Sequence, residues 1–382
     1  MARTNMRDLA IATVNLYNLH VPGGETYARG KPPIPDDKAG REAYRTRILW
    51  LARLVERLDS DILCFQELWA RQALEDVFAE VAGVGSYDLV ARDAPGIGKP
   101  QVALAVRRDR HGQPMLLDGA EWIADFPETF HIDGVRERHG AEEPISISIR
   151  QFSRPVLRAR IQPEGRGPTP PAVTIFGAHL KSKGPARLRE MVRGSDTVLD
   201  HHYALASSAV AHTRRVLEAG ALRAMLDDHM ASIESTDLSP TIVAGDLNDG
   251  TLSVSTELLT GQPSYRLFAK TTAGSSADKG LYSVETLQQY RSQRHVYYTY
   301  IYKNKMESLD HILVSEEFYD HSKKRQWSFY ESEVYNDHLN TSEKKDVKDR
   351  GAIDHGVVRS YFQWNPMEEQ VERCLLYTSP SP

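Results

Sequence analysis

Apolar residues along this chain follow two spacings, and the switches between them mark out its elements. Short runs dense in Val, Ile, Leu and Ala predict buried strands at residues 9–15, 62–65, 87–90, 102–106, 154–161, 172–180, 241–244, 297–301, 309–314 and 357–362. Residues 154–161 and 172–180 read as neighbouring strands. Elsewhere the period lengthens: Tyr44, Ile48, Leu51, Leu54, Val55 and Leu58 recur at helical spacing with Arg and Glu opposite. Helices are likewise expected at about 71–81 and over the Ala/Leu/Arg-rich 204–230. Residues 21–38 hold Pro22, Gly23, Gly24, Pro32, Pro33 and Pro35, which forbid regular structure and leave a loop long enough to be functional. Residues 109–144 mix turns with short strand-like pieces, and 261–280 form a further loop. No repeat of fixed period is visible. Strands and helices without strict βαβ alternation predict mixed sheets packed together and covered by helices.

Composition narrows this picture. With 41% hydrophobic and 26% charged residues over 382 positions, the chain has the balance of a soluble globular protein, and no apolar run is long enough to cross a bilayer. A large two-sheet domain uses this length as one unit, so a catalytic domain is expected over 1–364 and a tail over 365–382. Residues 374–382 resemble translated sequencing-adapter DNA and are set aside from the fold. The two cysteines, Cys64 and Cys374, exclude a disulfide framework, and Cys64 in its apolar run reads as a small buried hydrophobe. The N-terminal residues carry no apolar signal segment, so a cytoplasmic setting is the default, with secretion expected if the start is truncated. A net charge of -5 argues against a protein that coats nucleic acid nonspecifically. It leaves room for a local basic strip, which Lys181, Lys183, Arg187 and Arg189 supply; a solvated loop would read the same way.

Five polar motifs stand at the ends of the apolar runs or inside them: Thr13-Val14-Asn15, Cys64-Phe65-Gln66-Glu67, His179-Leu180-Lys181, Gly245-Asp246-Leu247-Asn248, and the pair Ser308-Leu309-Asp310-His311 with Ile353-Asp354-His355. Cleaving a phosphodiester requires a nucleophilic water, positive charge or donors at the phosphoryl oxygens, and help for the departing oxygen. Glu67, Asp354 and the amide of Asn15 are hard oxygen ligands suited to Mg²⁺. Glu67 would also suit the start of a following helix, and Asn15 a turn. Asp246 and Asn248, two residues apart at a strand mouth, can orient a water, while Asn248-Asp249-Gly250 is itself turn chemistry. Period two places Lys181 on the side of His179.

In this order the motifs resemble the DNase I-like endonuclease/exonuclease/phosphatase superfamily, from about Asp8 to Phe362. The resemblance implies a four-layer α/β/β/α sandwich, two packed mixed sheets flanked by helices, with the site at one edge of both sheets. It implies Asp246 as general base or water-positioning group, with Asn248 fixing the phosphate and that carboxylate. It implies that His355 contacts the scissile phosphate while Asp310 accepts its other ring proton, and that His179 contacts the phosphate from the opposite side. Mg²⁺, with Mn²⁺ as a substitute, is implied on Glu67, Asp354 and Asn15. Phe152-Ser153-Arg154-Pro155 resembles a segment whose Arg touches a backbone phosphate, which makes Arg154, like Lys181 and Asn15, a candidate substrate contact. Tyr298-Thr299-Tyr300 resembles a stretch of bacterial members and either lines the cleft or packs as strand. One departure stands out: Gln101 occupies the place where DNase I-type members carry a Glu partner for the His179 position. This leaves His355 and Asp310 as the main dyad.

The activity expected is metal-assisted attack of water on a phosphodiester, with DNA or RNA as substrate. The alternative is a phosphatase or phosphodiesterase on small or lipid phosphoesters of inositol phosphate or sphingomyelin type, a choice residing in residues 21–38, 109–144 and 182–208. A non-catalytic binding relative would have lost one of the motif groups, and all are present. No hairpin of exposed aromatics stands out, so no stable membrane association is expected, and no protein partner is predicted. His201-His202 and His338 lack zinc-site spacing, and neither a phosphate-binding Gly-Lys-Ser/Thr loop nor a Gly-x-Ser-x-Gly elbow occurs.

Overall fold

The computed structural model describes residues 8–24, 34–83, 85–93, 99–117, 119–130, 148–164, 169–186, 197–231, 238–263, 265, 280–292, 297–302, 305–339 and 350–367. In chain order the elements are β1 (Leu9–Leu19), α1 (Lys38–Leu58), β2 (Ile62–Leu68), α2 (Arg71–Ala79), β3 (Tyr87–Val90), β4 (Gln101–Arg107), β5 (Glu121–Asp125), β6 (Gln151–Ile161), β7 (Val173–His179), α3 (Thr197–Ala231), β8 (Thr241–Asp246), α4 (Val254–Thr260), β9 (Tyr282–Ser283), α5 (Val284–Arg291), β10 (Tyr300–Tyr302), β11 (Lys305–Glu307), β12 (Asp310–Val314), β13 (Trp327–Tyr335) and β14 (Val357–Trp364). Much of the loops expected at 21–38, 109–144 and 261–280, Arg187 and Arg189 of the basic strip, and the tail from 368 onward lie outside the described residues.

Two six-stranded sheets form, ordered β13-β14-β1-β2-β4-β3 and β5-β6-β7-β8-β12-β9. Each is mixed, with a parallel pair inside it, β1 with β2 and β7 with β8, among antiparallel neighbours. Period-two alternation decides the layering. Leu9 and Ile11 of β1, Val102 and Leu104 of β4, and Val173 and Ile175 of β7 bury between the sheets, whereas Ala12 and Val14 turn to the opposite face. That outer face is covered by Ile48, Leu51, Val55 and Leu58 of α1 with Leu74 and Val77 of α2. On the second sheet, Phe176, Ala178 and Val243 meet Leu222, Met225 and Leu226 of α3. The result is the four-layer α/β/β/α sandwich. Each fully buried aliphatic side chain in these layers contributes about 1.5–3 kcal/mol relative to exposure.

Local chemistry sets the element ends. Asp37 caps α1 by accepting from the Gly40 N–H, and Asp59 closes it in the left-handed conformation. At the mouth of β8, Gly245 has φ +154°, and a Cβ there would lie 1.8 Å from the Ala178 carbonyl oxygen of β7. Only glycine fits, so the parallel pair carrying His179 and Asp246 closes tightly at its functional end. Cys64 is buried as expected, and burial pushes its thiol up to about 12.

Several elements escape the pattern reading. β13, WSFYESEVY, is interrupted by a register shift between Phe329 and Glu331, which breaks its alternation. Of the run expected at 297–301 only Tyr300 and Ile301 enter a strand, β10, which pairs with β11 in a separate two-stranded sheet with Tyr302 and Met306 half exposed.

Gly245→Ala is expected to lower stability by on the order of 3 kcal/mol through clash and backbone strain. Gly250→Ala, where an added Cβ meets nothing within 4 Å, should leave the urea midpoint unchanged. Equal midpoints for the two variants would remove this account of the strand mouth.

Candidate active site

The C-terminal ends of the two parallel pairs lie at the same edge of the sandwich, so residues closing β1, β2, β7 and β8 converge there. β12 runs antiparallel to β8, which sets its first residue, Asp310, directly opposite Asp246, the last of β8. Asp246 is 1% exposed. Its Oδ2 accepts from Asn15 Nδ2 at 2.9 Å and its Oδ1 from the Asn248 N–H at 2.9 Å. Asn248 itself donates Nδ2 to the Leu180 carbonyl at 3.1 Å, tying the Asp246 turn to the loop after β7. Burial pushes the Asp246 carboxyl up to about 7, with the facing Asp310 and Glu67 adding to the rise and His355 and the Asn248 N–H opposing it.

His355 lies just before β14, in the other sheet from Asp310, and its Nδ1 meets Asp310 Oδ2 at 2.8 Å. Burial alone would favour the neutral ring. Asp310, by charge and hydrogen bond, together with Asp246 and Asp354 reverses this and raises the imidazole well above its ordinary value. His338 Nε2 lies 2.7 Å from the His355 carbonyl, and the Tyr300 ring lies 4.8 Å from the imidazole. His338 therefore supports the backbone of His355, in keeping with its lack of zinc spacing.

His179, last residue of β7, has Nε2 at 3.6 Å from Asp246 Oδ2 and 3.9 Å from Glu67 Oε1, beyond hydrogen-bond reach of both. Burial, reinforced by Arg154, His355 and Lys181, holds this ring well below the ordinary value and hence neutral. Its buried Nδ1 has no hydrogen-bond partner among the described residues. Gln101 does not substitute for the missing Glu, because its amide is taken up by the backbone N–H and carbonyl of Arg92 at 2.8 and 2.7 Å. The two histidines thus stand in opposite charge states within one site.

Glu67 sits inside β2 rather than after it, at register shifts in both strand pairings, with φ +61°. Since α2 begins at Arg71, Glu67 is not a first-turn helix residue. Its Oε2 accepts the Asn18 N–H at 2.9 Å, and Oε1 has no hydrogen bond among the described residues. The buried Arg47 of α1 donates to the carbonyls of Leu16 and Tyr17 and lies close enough to Tyr17, Asp354 and Glu67 to feel each electrostatically. Asn15 Oδ1 accepts the Tyr17 N–H at 2.9 Å, which leaves it one lone pair for a cation.

The cationic side is organised from α3. Fully buried Glu218 accepts from the Ser153 N–H and hydroxyl and from the Lys181 N–H, and Arg154 donates to the Leu180 carbonyl at 3.1 Å. β7 ends at His179, so Lys181 leaves the strand and its ammonium turns onto Ser182 and Gly184. Burial, then Arg154, with Arg214 and Arg215 adding, depresses that ammonium. Arg215 bridges the Asp249 carboxylate at 3.0 Å and the Lys181 carbonyl at 3.2 Å.

Asn15, Glu67, Arg154, His179, Lys181, Asp246, Asn248, Asp310, Asp354 and His355 thus lie at one edge of the sandwich. Arg47, Glu218 and Arg215 carry no expectation from the sequence, and Thr299 enters only as part of the Tyr298-Thr299-Tyr300 stretch; the available signal was a charged residue on an apolar helix face, Arg47 in α1 and Glu218 in α3. Oxygen and nitrogen atoms of Asp246, Asp310 and His355 lie within 4.8 Å of one another, close enough to hold a cation. The direct His355–Asp310 hydrogen bond already occupies two of these groups, so they fit a proton-handling trio better than a ligand set. A cavity of about 430 Å³ at the other end of β1 touches Asp8, Asp61 and Arg108, but its arginines pair with Asp59, Asp88 and Glu164. It plays no part in this site.

A model of the endonuclease/exonuclease/phosphatase family matches residues 12–329. Among solved structures, D. rerio TDP2 humanized by 14 mutations is similar at 14% identity, covering 94% of this chain and 99% of that one, with a TM-score of 0.51. D. rerio TDP2 complexed with single strand DNA product is similar at 15% identity, covering 93% and 99%, with a TM-score of 0.50. The mannosyl-6-phosphatase Bt3783 of Bacteroides thetaiotaomicron VPI-5482 matches at 13% identity over 93% and 100%, with a TM-score of 0.48. The TDP2 likenesses speak for the fold alone. No curated protein matches the chain in sequence, and no helix among the described residues is long and apolar enough to cross a membrane.

The Asp246 carboxyl has a linkage consequence. The unfolded chain ionises Asp246 near the ordinary 3.8, whereas the fold keeps the proton up to about 7. Raising pH through that window therefore removes stability from the wild type, and Asp246→Asn escapes the loss. In chelator, the thermal midpoint of Asp246→Asn minus that of the wild type is expected to increase from about pH 4 to about pH 7. A pH-independent difference would show that Asp246 ionises normally in the fold.

Proposed function

The chain belongs to the endonuclease/exonuclease/phosphatase family, a family of phosphoester hydrolases, and from that membership we propose that it is a Mg²⁺-dependent phosphodiester hydrolase acting on nucleic acid. The observation that carries this reading is geometric: buried Asp246, held on both oxygens by Asn15 and Asn248, faces Asp310, whose carboxylate binds His355 Nδ1 at 2.8 Å, and burial pushes the Asp246 carboxyl up to about 7. A base poised near neutral pH can take a proton from water and return it. Asp246, held on both oxygens by Asn15 and Asn248, retains lone pairs for that water. Water oxygen bonds to phosphorus as its proton passes to Asp246, the ester P–O bond breaks, and the departing oxygen leaves as the alcohol after taking a proton from solvent water. His355, its Nδ1 on Asp310, offers its other N–H to a phosphoryl oxygen. Neutral His179 offers a hydrogen bond from the facing side, and Arg154 and Lys181 supply charge for flanking phosphates.

The donor chemistry at the β2 end fits a hard divalent cation: Glu67 Oε1 carries no hydrogen bond among the described residues, Asn15 Oδ1 keeps a lone pair, and Asp354 is the second carboxylate near Arg47. A cation held by these groups would supply positive charge for the phosphoryl and departing oxygens. Mn²⁺ is the expected substitute. Preference for a polymer rests on the cationic side, where Arg154, Arg214 and Arg215 surround Lys181.

Asp246→Asn and His355→Ala are each expected to lower plasmid-nicking turnover by roughly 10²- to 10⁴-fold with unchanged circular dichroism. A wild-type rate in either folded variant would remove that residue from the chemistry. Nicking should stop in chelator. Glu67→Gln should raise the Mg²⁺ midpoint; an unmoved midpoint would take Glu67 out of the metal shell. Phosphate release from small esters without any nicking would move the substrate from nucleic acid to a small phosphoester.

A further inference from the structure

The two halves of the Asp310–His355 pair belong to different sheets, so their 2.8 Å hydrogen bond requires something that fixes one sheet edge against the other. Thr299 stands between them and is fully buried. Its hydroxyl oxygen accepts the N–H groups of Leu309 at 3.0 Å and Asp310 at 3.2 Å. Its carbonyl accepts the N–H of Gly356, the residue after His355, at 2.6 Å, and its own N–H donates to Glu307 at 2.9 Å. The flanking residues reinforce this. Asn336 donates to the Tyr298 carbonyl at 3.0 Å, and the Tyr300 ring lies against His355. A Cβ on Gly356 would come within 3.1 Å of the Thr299 Cα, so the two segments touch backbone to backbone.

Resting on the reading of Asp310 and His355 given above, we propose that Thr299 is the positioning residue that aligns this dyad. It holds the Asp310 side through its hydroxyl and the His355 side through its carbonyl. A hydroxyl oxygen has two acceptor lone pairs, and both are used here. Valine has nearly the same shape but no acceptor, so Thr299→Val leaves two buried N–H groups unpaired and frees the start of β12 to shift. Serine keeps the acceptor and loses only a methyl group.

The test compares Thr299→Val with Thr299→Ser. Losing a group that orients a catalytic residue typically costs roughly 10- to 100-fold in activity, and a drop of that size in kcat is expected for Val with KM little changed. Ser should restore most of the rate. In an Asp310→Asn background, Thr299→Val should add little further loss, because it acts through the dyad. A second readout needs no substrate: the downfield imidazole N–H resonance assigned by its disappearance in His355→Ala should shift or vanish in Val and persist in Ser.

A folded Val variant with wild-type kcat and resonance would overturn the proposal, as would a Ser variant as impaired as Val. Should Val fail to fold, Thr299→Ala, which leaves room for water at the two N–H groups, takes its place against Ser, and equal behaviour of Ala and Ser overturns the proposal. If the wild type hydrolyses no phosphoester, the resonance alone decides, so failure of the functional reading is separable from failure of the positioning role.

Discussion

Two hydrogen bonds cross from sheet to sheet at the same edge, Asn15 to Asp246 at 2.9 Å and His355 to Asp310 at 2.8 Å. Neither sheet carries a complete pair, so the chemistry exists only at the separation that the packed sheets enforce. That separation is set by apolar packing, which is dense and yields little to local strain. Near the site the two sheets are in direct contact. Cys64 Sγ lies 3.4 Å from the Ala244 carbonyl, and a Cβ on Gly177 would lie 2.7 Å from Val102. Small residues at these positions let the polar pairs meet directly, without an intervening layer of side chains.

The same geometry brings together charges that oppose folding. Asp246 and Asp310 are direct cross-strand partners, and like charges facing each other in a sheet are destabilising. The fold answers with the imidazolium of His355 and with N–H donors from Asn15 and Asn248. What remains is a carboxyl kept near neutral pKa, unfavourable for stability and suited to proton transfer. On the cationic side Glu218 has the complementary task, since one buried carboxylate orients Ser153, Lys181 and Arg214 at once.

The layers and the main site residues were legible because they depend on short-range pattern. A dense apolar run followed by a polar motif marks a strand end, which is how Asp246, Asn248, His179 and Glu67 could be nominated. Glu67's place inside a bulged strand was not legible, because the bulge depends on pairing with β1 and β4 rather than on its own neighbours. Gln101 was recognised as a departure, but its partner, the Arg92 backbone, was not. Arg47 and Glu218, and the hydrogen-bonding role of Thr299 within the Tyr298-Thr299-Tyr300 stretch, escaped for a related reason. Each acts through contacts across long stretches of chain, such as Arg47 with Leu16 or Thr299 with Gly356, and no local spacing encodes these. β13 was lost to its irregular register, and the strand expected at 297–301 overlaps β10 only at Tyr300 and Ile301, in a separate two-stranded sheet.

Backbone strain gives an independent indication of where function resides. Of six non-glycine residues with positive φ among the described residues, Tyr17, Asn18, Glu67 and Asn248 all lie at the site. Such conformations cost on the order of 1 kcal/mol or more each and persist only where surrounding contacts over-determine them. Here the contacts are identifiable. Arg47 holds the Tyr17 carbonyl, the Asn18 N–H holds Glu67, Trp69 donates to the Asn18 side chain, and Asn248 is fixed between Asp246 and Leu180. Regular strands would carry these side chains on alternately upward and downward, toward the core or the helices. The left-handed residues break that alternation and turn Glu67 and Asn248 toward one edge. Glycine would remove the strain but also the side chains, so the strained conformations are retained where carboxylate and amide groups must be presented.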